Sequence, residues 1–262
     1  MSQVSWARLR WLGLRVTFGA LALYAGVLVV IWFTTPNIGP AAGTGDHATY
    51  MAAGRRWLAG GSFYRPYQLA GPYVVDKVEI LYPPTILPLL IVFGFLPDIL
   101  WWLTPIAILA GVVSYWRPGL AGWTAILACI AVPSTFEALA YGNPALWVAA
   151  FLALGTILGW PSVLVALKPT LIPFMVVGIR RRSWWLAAGL LAVVSLVFLP
   201  LWFDYARVLL NARGPLVSPW YSLGNVPLLL IPLIARFNSR RLRLEVGGRT
   251  SDPGHSYWSK EP

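Results

Sequence analysis

Apolar runs separated by short polar breaks are the feature of this sequence that most constrains its fold. The first run, residues 12–33, is about as long as the roughly 20 residues that a helix needs to cross the hydrocarbon core of a bilayer. Further runs follow at residues 80–97, 99–116, 120–133, 144–160, 161–179, 184–203 and 223–235. Hydrophobic residues make up 58% of the chain and charged residues 11%, against roughly 25% charged in soluble domains. The pattern predicts an all-α polytopic membrane protein of about eight transmembrane or half-membrane helices.

The basic residues lie mainly at the ends of these runs. Arg8, Arg10 and Arg15 accompany the start of the first run, and three arginines at 180–182 follow the run 161–179. Lys and Arg collect on the cytoplasmic side of membrane proteins. We therefore expect both termini in the cytoplasm, residues 34–80 as an outward loop, and a bacterial plasma membrane as the location. The net charge of +11 then reflects topology and contact with lipid headgroups, not binding of nucleic acid.

The chain divides into a membrane domain, residues 1–236, and a polar basic tail, residues 237–262. The tail has too little apolar surface to fold alone, which predicts a disordered cytoplasmic segment. Between residues 117 and 160 the topology has two solutions. Simple counting of spans puts the sequence YGNP at 141–144 in the cytoplasm, whereas one re-entrant segment moves it outside.

The outward loop contains the sequence GDHATYMAAGRRWLAGG, which predicts a short helix lying in the membrane interface. Tyr50 belongs to its apolar face. Asp46 lies at its N-terminal end, where the helix dipole favours a carboxylate. Asp46 is interpreted either as a simple N-cap or as a general base that takes a proton from a substrate hydroxyl at the membrane surface. His47 is a further candidate because it titrates near neutral pH.

Arg55 and Arg56 lie later in the same helix, on its more polar side. A guanidinium group can bind a phosphate through two hydrogen bonds, so both are candidate phosphate ligands. Anchoring to lipid headgroups explains them equally well. Asp76, Lys77 and Glu79, further along the loop, are interpreted as solvated charges that pair with one another.

Lys168 is the most unusual residue inside an apolar run, in the sequence PSVLVALKPTLIPF. An ammonium group near mid-membrane costs about 2.5–3.5 kcal/mol on insertion scales, so it normally faces protein, water or an anionic ligand. The carbonyl group that Pro169 leaves without a hydrogen-bond donor is an alternative partner. Asn143 lies in a polar break between two apolar runs, and such breaks are tolerated where they line a cavity.

The order of these motifs resembles a known family. DHATYMAAGRRWLAGGSFY after the first span, then YPPT, GNPALW and ALKPTLIPF followed by RRRSWW resemble the bacterial polyprenol-phosphate-mannose-dependent α-1,2-mannosyltransferases, which are glycosyltransferase family 87 with the GT-C fold. The similarity covers about residues 45–202. It implies that Asp46 is the catalytic base and that Lys168 holds the donor phosphate. Asn143 stands near a family motif whose Gln is missing here, and the chain ends sooner than family members do.

The resemblance implies a glycosyltransferase that moves a hexose, with mannose expected, from a polyprenyl phosphate to a lipid-linked or cell-envelope glycan. A single direct displacement inverts the sugar carbon. The absence of a carboxylate cluster in the sequence argues against a bound divalent metal, and we expect no other cofactor. Two alternatives remain at the level of sequence. One is a flippase or transporter of polyprenyl-linked sugar, with Lys168 in the permeation path. The other is a non-catalytic, shortened subunit that acts with a partner protein.

Overall fold

The computed structural model describes residues 3–35, 45–76, 79–217 and 223–239. Most of this part of the chain is helical and very little of it is strand, which confirms the all-α prediction. The α-helices are α1 (Gln3–Thr34), α2 (Gly45–Leu58), α3 (Pro66–Ala70), α4 (Leu87–Gly94), α5 (Ile99–Trp116), α6 (Leu120–Ala131), α7 (Pro133–Ala140), α8 (Ala145–Leu158), α9 (Arg182–Val197), α10 (Leu199–Asn211) and α11 (Val226–Phe237). The 3₁₀ helices are Pro84–Ile86, Trp160–Leu167, Pro169–Gly178 and Pro215–Val217. Two short strands, β1 (Tyr73–Val74) and β2 (Ala212–Arg213), pair in parallel. Lys77 and nearly all of the predicted tail lie outside the described residues.

The helices that can cross a membrane are fewer than the predicted eight or so. Among the described residues, α1 over Arg8–Thr34 and α5 are long and apolar enough, and the number rises to 4 if the bent pairs α6–α7 and α9–α10 each form one span. Prolines account for much of the difference. Pro133 begins α7 after a bend of 66°, and Pro200 lies in the first turn of α10 after a bend of 84°. Helices α8 and α11 and the 3₁₀ helix Pro169–Gly178 are apolar but shorter than a full span.

Helix α8 is the centre of the bundle. Most of its side chains are buried on every face, and it packs against α5, α11 and the 3₁₀ helix Trp160–Leu167. A helix that is apolar all round is expected in such a position. Helix α1 is the opposite case, because it packs mainly on α6 and exposes most of its apolar side chains. In a bilayer those side chains contact lipid.

Hydrogen bonds join several helix ends at one end of the bundle. Trp116 at the end of α5 donates its indole N–H to Thr156 near the end of α8 at 2.9 Å, and Ser239 donates to the Trp116 carbonyl at 2.5 Å. Arg181 donates to the carbonyl of Ile157, and the Arg236 guanidinium lies over the Trp116 ring. This end, called the arginine end below, carries Arg236 and Arg181, the latter one of the three arginines that the sequence analysis expects in the cytoplasm.

The opposite end carries α2, α3, α7, α10 and the two strands. His47 in α2 donates its backbone N–H to the Tyr141 carbonyl at 3.0 Å, so the sequence YGNP lies beside α2. This contact places YGNP at the same end of the bundle as the predicted outward loop, which is one of the two placements that the sequence leaves open. Tyr73 and Ala212 are register partners in the parallel strand pair, which joins the segment before α4 to the segment after α10.

Candidate functional site

Asp46 lies in the first turn of α2, where its carboxylate meets a polar side chain from a distant part of the chain. The Asn143 side chain donates from Nδ2 to Asp46 Oδ2 at 2.5 Å. The other atom of the amide group is also engaged, since Asn143 Oδ1 accepts from the Ala145 backbone N–H at 2.9 Å and from the Tyr82 hydroxyl at 3.1 Å. Because those two donors fix the oxygen, the nitrogen must face the carboxylate. Asn143 therefore orients Asp46 from the start of α8.

Lys168 reaches the same site from a hairpin of two 3₁₀ helices. The apolar run 161–179 does not form one α-helix, because it breaks into Trp160–Leu167 and Pro169–Gly178 with Lys168 in an extended conformation between them. Runs of 3₁₀ helix beyond 3–4 residues are uncommon. The outer ends of both legs lie together at the arginine end, where Gly159 and Gly178 are in contact. The tip of the hairpin, with Lys168, therefore lies at the α2 end. The Lys168 ammonium lies 5.5 Å from the centre of the Tyr82 ring.

These side chains line one cavity of about 230 Å³ at the α2 end of the bundle. Asp46 and Lys168 both face it, and within the described part of the chain they do not form a direct ion pair. Polar or titratable lining residues are Asp46, Tyr50, Asp76, Glu79, Tyr82, Asn143, Lys168, Thr170 and Tyr205. Four residues proposed from the sequence, namely Asp46, Tyr50, Asn143 and Lys168, are thus brought together.

The other three proposed residues lie elsewhere. His47 is buried between the indole rings of Trp101 and Trp102, at centroid distances of 5.7 and 4.7 Å, and its Nε2 is 3.8 Å from Asp98 Oδ1. Burial lowers the pKa of His47, and the Asp98 carboxylate opposes that shift. His47 is a neighbour of Asp46 in sequence but does not line the cavity.

Neither of the two arginines of α2 lines the cavity. Arg55 is exposed on the helix surface. Arg56 donates from Nε to the Ser62 carbonyl and from a terminal nitrogen to the Phe63 carbonyl, both at 2.7 Å. Its guanidinium group thus closes the turn after α2, a structural role that adds to the two interpretations from the sequence, phosphate binding and anchoring to headgroups.

The surroundings of Asp46 make its carboxylate a stronger base. Burial raises the pKa of Asp46, while the hydrogen bond from Asn143 and the charge of Lys168 act in the opposite direction. A carboxylate whose proton affinity is increased, held in one orientation beside a cavity, can accept a proton from a ligand hydroxyl. A cation in the same cavity can stabilise negative charge that develops on a leaving group.

The sequence did not single out Tyr82, Glu79 or Tyr205 as site residues. Tyr82 was part of the sequence YPPT, which entered the sequence analysis only as one motif of the family resemblance, and its hydroxyl contact with Asn143 depends on tertiary packing. Tyr205 comes from α10, which no motif connected with the loop before α4. Glu79 was interpreted as a solvated charge, although it lines the cavity.

Comparison with known proteins adds no further assignment, since the chain matches no protein-family profile, no characterised protein and no solved structure.

Proposed function

We propose that the chain is a membrane glycosyltransferase of the GT-C type, which moves a hexose from a polyprenyl phosphate to a hydroxyl group of a lipid-linked or cell-envelope glycan. The observation that carries the proposal is the meeting of Asp46, Asn143 and Lys168 in one cavity. These residues come from three distant segments, and the cavity lies at the α2 end of the bundle, opposite the arginine end. The resemblance of the sequence implies that the hexose is mannose and that transfer takes place at the outer face of a bacterial plasma membrane.

The proposed chemistry is a single displacement at the anomeric carbon. Asp46 takes the proton of the acceptor hydroxyl while the oxygen of that hydroxyl forms a bond to the anomeric carbon. The bond from the anomeric carbon to the phosphate oxygen breaks, and its electron pair leaves with the polyprenyl phosphate. Lys168 stabilises the charge that grows on this leaving group. One displacement inverts the configuration at the carbon.

Asn143 has a positioning role in this scheme. Its amide nitrogen fixes one carboxylate oxygen of Asp46 at 2.5 Å, so the second oxygen is the one that meets the acceptor hydroxyl. Placing reacting groups before reaction can supply several kcal/mol of the barrier reduction. The reaction therefore needs only a few polar groups from an otherwise apolar bundle.

The outer surface of the bundle suits a lipid-linked donor. Leu186, Leu190 and Val193 on α9 are large and exposed, and α9 leads through a bend into α10, which supplies Tyr205 to the cavity wall. Lipid chains beside α9 can thus lie next to the cavity that holds the polar head. Donor lipid, acceptor and membrane lipid are the partners that this function requires.

The test is transfer of labelled mannose from a synthetic polyprenyl-phosphate-mannose by the purified full chain in nanodiscs, with cell-envelope glycolipids as acceptors. Asp46→Asn removes the base, and we expect a loss of about 10²–10⁴-fold in the transfer rate with donor binding retained. Glu137→Gln, a carboxylate change in α7 away from the cavity, is the matched control and should keep the wild-type rate.

A wild-type protein that binds the donor and transfers nothing to any acceptor would refute the proposal. The same protein would then be reconstituted into vesicles, and movement of labelled donor across their bilayer would identify a flippase. Lys168→Ala should abolish that movement if Lys168 lies in the permeation path.

A further inference from the structure

Glu79 occupies a position in the cavity wall that the proposed chemistry does not use. Its Oε1 accepts a hydrogen bond from the Tyr67 hydroxyl at 2.6 Å, and Tyr67 in turn accepts one from Arg65 at 3.3 Å. The second oxygen, Oε2, is buried and has no hydrogen-bond partner among residues 3–35, 45–76, 79–217 and 223–239. A buried carboxylate oxygen without a donor costs free energy, and because Glu79 lines the cavity, a ligand that displaces the atoms covering this oxygen can supply the donor.

The segment that carries Glu79 is held in place by the neighbouring helix α3. Gln68 in α3 is fully buried and donates to the Ile80 carbonyl at 3.4 Å and to the Tyr73 hydroxyl at 3.2 Å. The Asn211 side chain at the end of α10 donates to the Gln68 carbonyl at 3.0 Å. The segment that carries Glu79 is therefore fixed by hydrogen bonds from α3, and α3 is fixed by a hydrogen bond from α10. The segment has this position before any ligand binds.

The rest of the lining is typical of a site for an uncharged ring that carries hydroxyl groups. Three tyrosine side chains, Tyr50, Tyr82 and Tyr205, contribute to it, and aromatic rings present flat apolar faces with polar edges. Asp76 also lines the cavity. The volume of about 230 Å³ is below the roughly 300–1,000 Å³ of sites for drug-sized ligands, so one small ring fits better than an oligosaccharide.

Charge distinguishes the part of the cavity lined by Glu79 from the part lined by Lys168, which is the proposed phosphate site. Lys168 attracts an anion, whereas a second carboxylate repels one and accepts hydrogen bonds from neutral hydroxyl groups. A divalent cation is a weaker candidate for the same oxygens, because an ammonium group lines the cavity and no cluster of three ligating side chains occurs in the described segments.

We infer that Glu79 is a specificity-determining residue of the cavity, which accepts a hydrogen bond from a ring hydroxyl of a hexopyranose. The inference rests on the proposed function in that it names the sugar-binding wall of the same site. Tyr67 is the positioning residue that orients the carboxylate, and Glu79 itself touches the sugar.

The experiment measures binding of methyl α-mannopyranoside, methyl α-glucopyranoside and methyl α-galactopyranoside to the full chain in nanodiscs by saturation-transfer NMR, without any transfer reaction. We expect at least one hexoside to bind the wild type, and Glu79→Gln to weaken its binding by about tenfold or more, because a charged carboxylate acceptor is replaced by a neutral amide. Tyr67→Phe keeps the carboxylate and should weaken binding by less. Asp98→Asn, an exposed carboxylate outside the cavity, should change nothing.

The outcomes separate this inference from the proposed function. Glu79-dependent hexoside binding by a protein that transfers no sugar would support the role of Glu79 and refute the transferase. Transfer with wild-type KM for donor and acceptor in Glu79→Gln, together with unchanged hexoside binding, would overturn the role of Glu79 alone. Failure of all three hexosides to bind the wild type would also overturn it, as would binding of Mg²⁺ or Ca²⁺ that depends on Glu79 and excludes the hexosides. Unfolding curves of each variant identify any loss that comes from misfolding.

Discussion

Gly142 is the residue at which the smallest change should most disturb the site. It lies between α7 and the residue Asn143 with φ of +64°, and an added Cβ would lie 2.6 Å from Trp102 Cζ2 and 2.9 Å from His47 Cβ. Both neighbours are confined. Trp102 is 2% exposed and donates its indole N–H to the Leu139 carbonyl at 2.7 Å. The carbonyl of Gly142 itself accepts from the indole of Trp101 at 2.7 Å.

These contacts give the expected cost of Gly142→Ala. A left-handed conformation costs a residue with a Cβ about 1–2 kcal/mol. Overpacking against a buried ring adds about 1–3 kcal/mol, because the indole cannot move away without losing its hydrogen bond. The free energy of unfolding should therefore fall by about 2–5 kcal/mol. Asn143 is the next residue, so displacement of the backbone should also weaken its hydrogen bond to Asp46.

The assay is equilibrium unfolding in mixed micelles by titration with sodium dodecyl sulfate, followed by tryptophan fluorescence. Gly189→Ala is the matched control, because Gly189 lies inside α9 and an added Cβ there meets nothing within 4 Å. It should leave the unfolding free energy unchanged or raise it by about 0.5–1 kcal/mol. The reasoning is refuted if Gly142→Ala is as stable as the wild type, or if both variants lose the same amount.

Other predictions concern the charged groups. Because burial raises the pKa of Asp46, transfer should be lost on acidification at a higher pH than for an ordinary aspartate. Asn143→Ala should move this loss of activity to still higher pH, since it removes the hydrogen bond that lowers the pKa of Asp46. The pH–rate profiles of the wild type and the variant check the direction of both shifts. Lys168→Met should weaken binding of the phosphate donor by about tenfold or more while leaving hexoside binding in place, which parallel titrations would measure. Arg56→Ala should lower the unfolding free energy by about 1–2 kcal/mol through the loss of two hydrogen bonds, without changing donor affinity. Arg55→Ala should change neither quantity, and a drop in donor affinity in either arginine variant would restore a phosphate-binding role.

The sequence identified the residues whose chemistry is unusual for their surroundings. Lys168 stood out because a cation inside an apolar run is costly, and Asp46 because it begins an amphipathic helix. Tyr50 followed from the periodicity of that helix. In each case a local rule was enough, since the reason for the residue lies in its own segment.

Other parts of the site depend on contacts between segments, which no local pattern contains. The sequence indicates a candidate phosphate ligand at Arg56, but it does not show that the guanidinium group binds the carbonyls of Ser62 and Phe63. Glu79 looks like a loop charge until Tyr67 and Gln68 are seen to fix its segment beside the cavity. Asn143 was found as part of a polar break and near a family motif, neither of which indicates its partner Asp46, which lies 97 residues earlier.

The number of membrane spans was overestimated for a related reason. The run 161–179 has the length and hydrophobicity of one helix, but prolines and Lys168 divide it into two 3₁₀ legs. Hydrophobicity measures the free energy of transferring a segment into the bilayer. It does not report whether the segment crosses or turns back.

The 3₁₀ hairpin also limits how this part of the gene can change. The first leg rises about 2.0 Å per residue, so its 8 residues reach about 16 Å, compared with about 12 Å for an α-helix of the same length. One inserted or deleted residue turns everything beyond it by about 120° and shifts it by about 2 Å. Length changes within residues 160–167 would thus turn Lys168 away from Asp46, whereas point substitutions among the apolar side chains would not. Descendants of this sequence should keep the length of this leg even where its side chains have been exchanged.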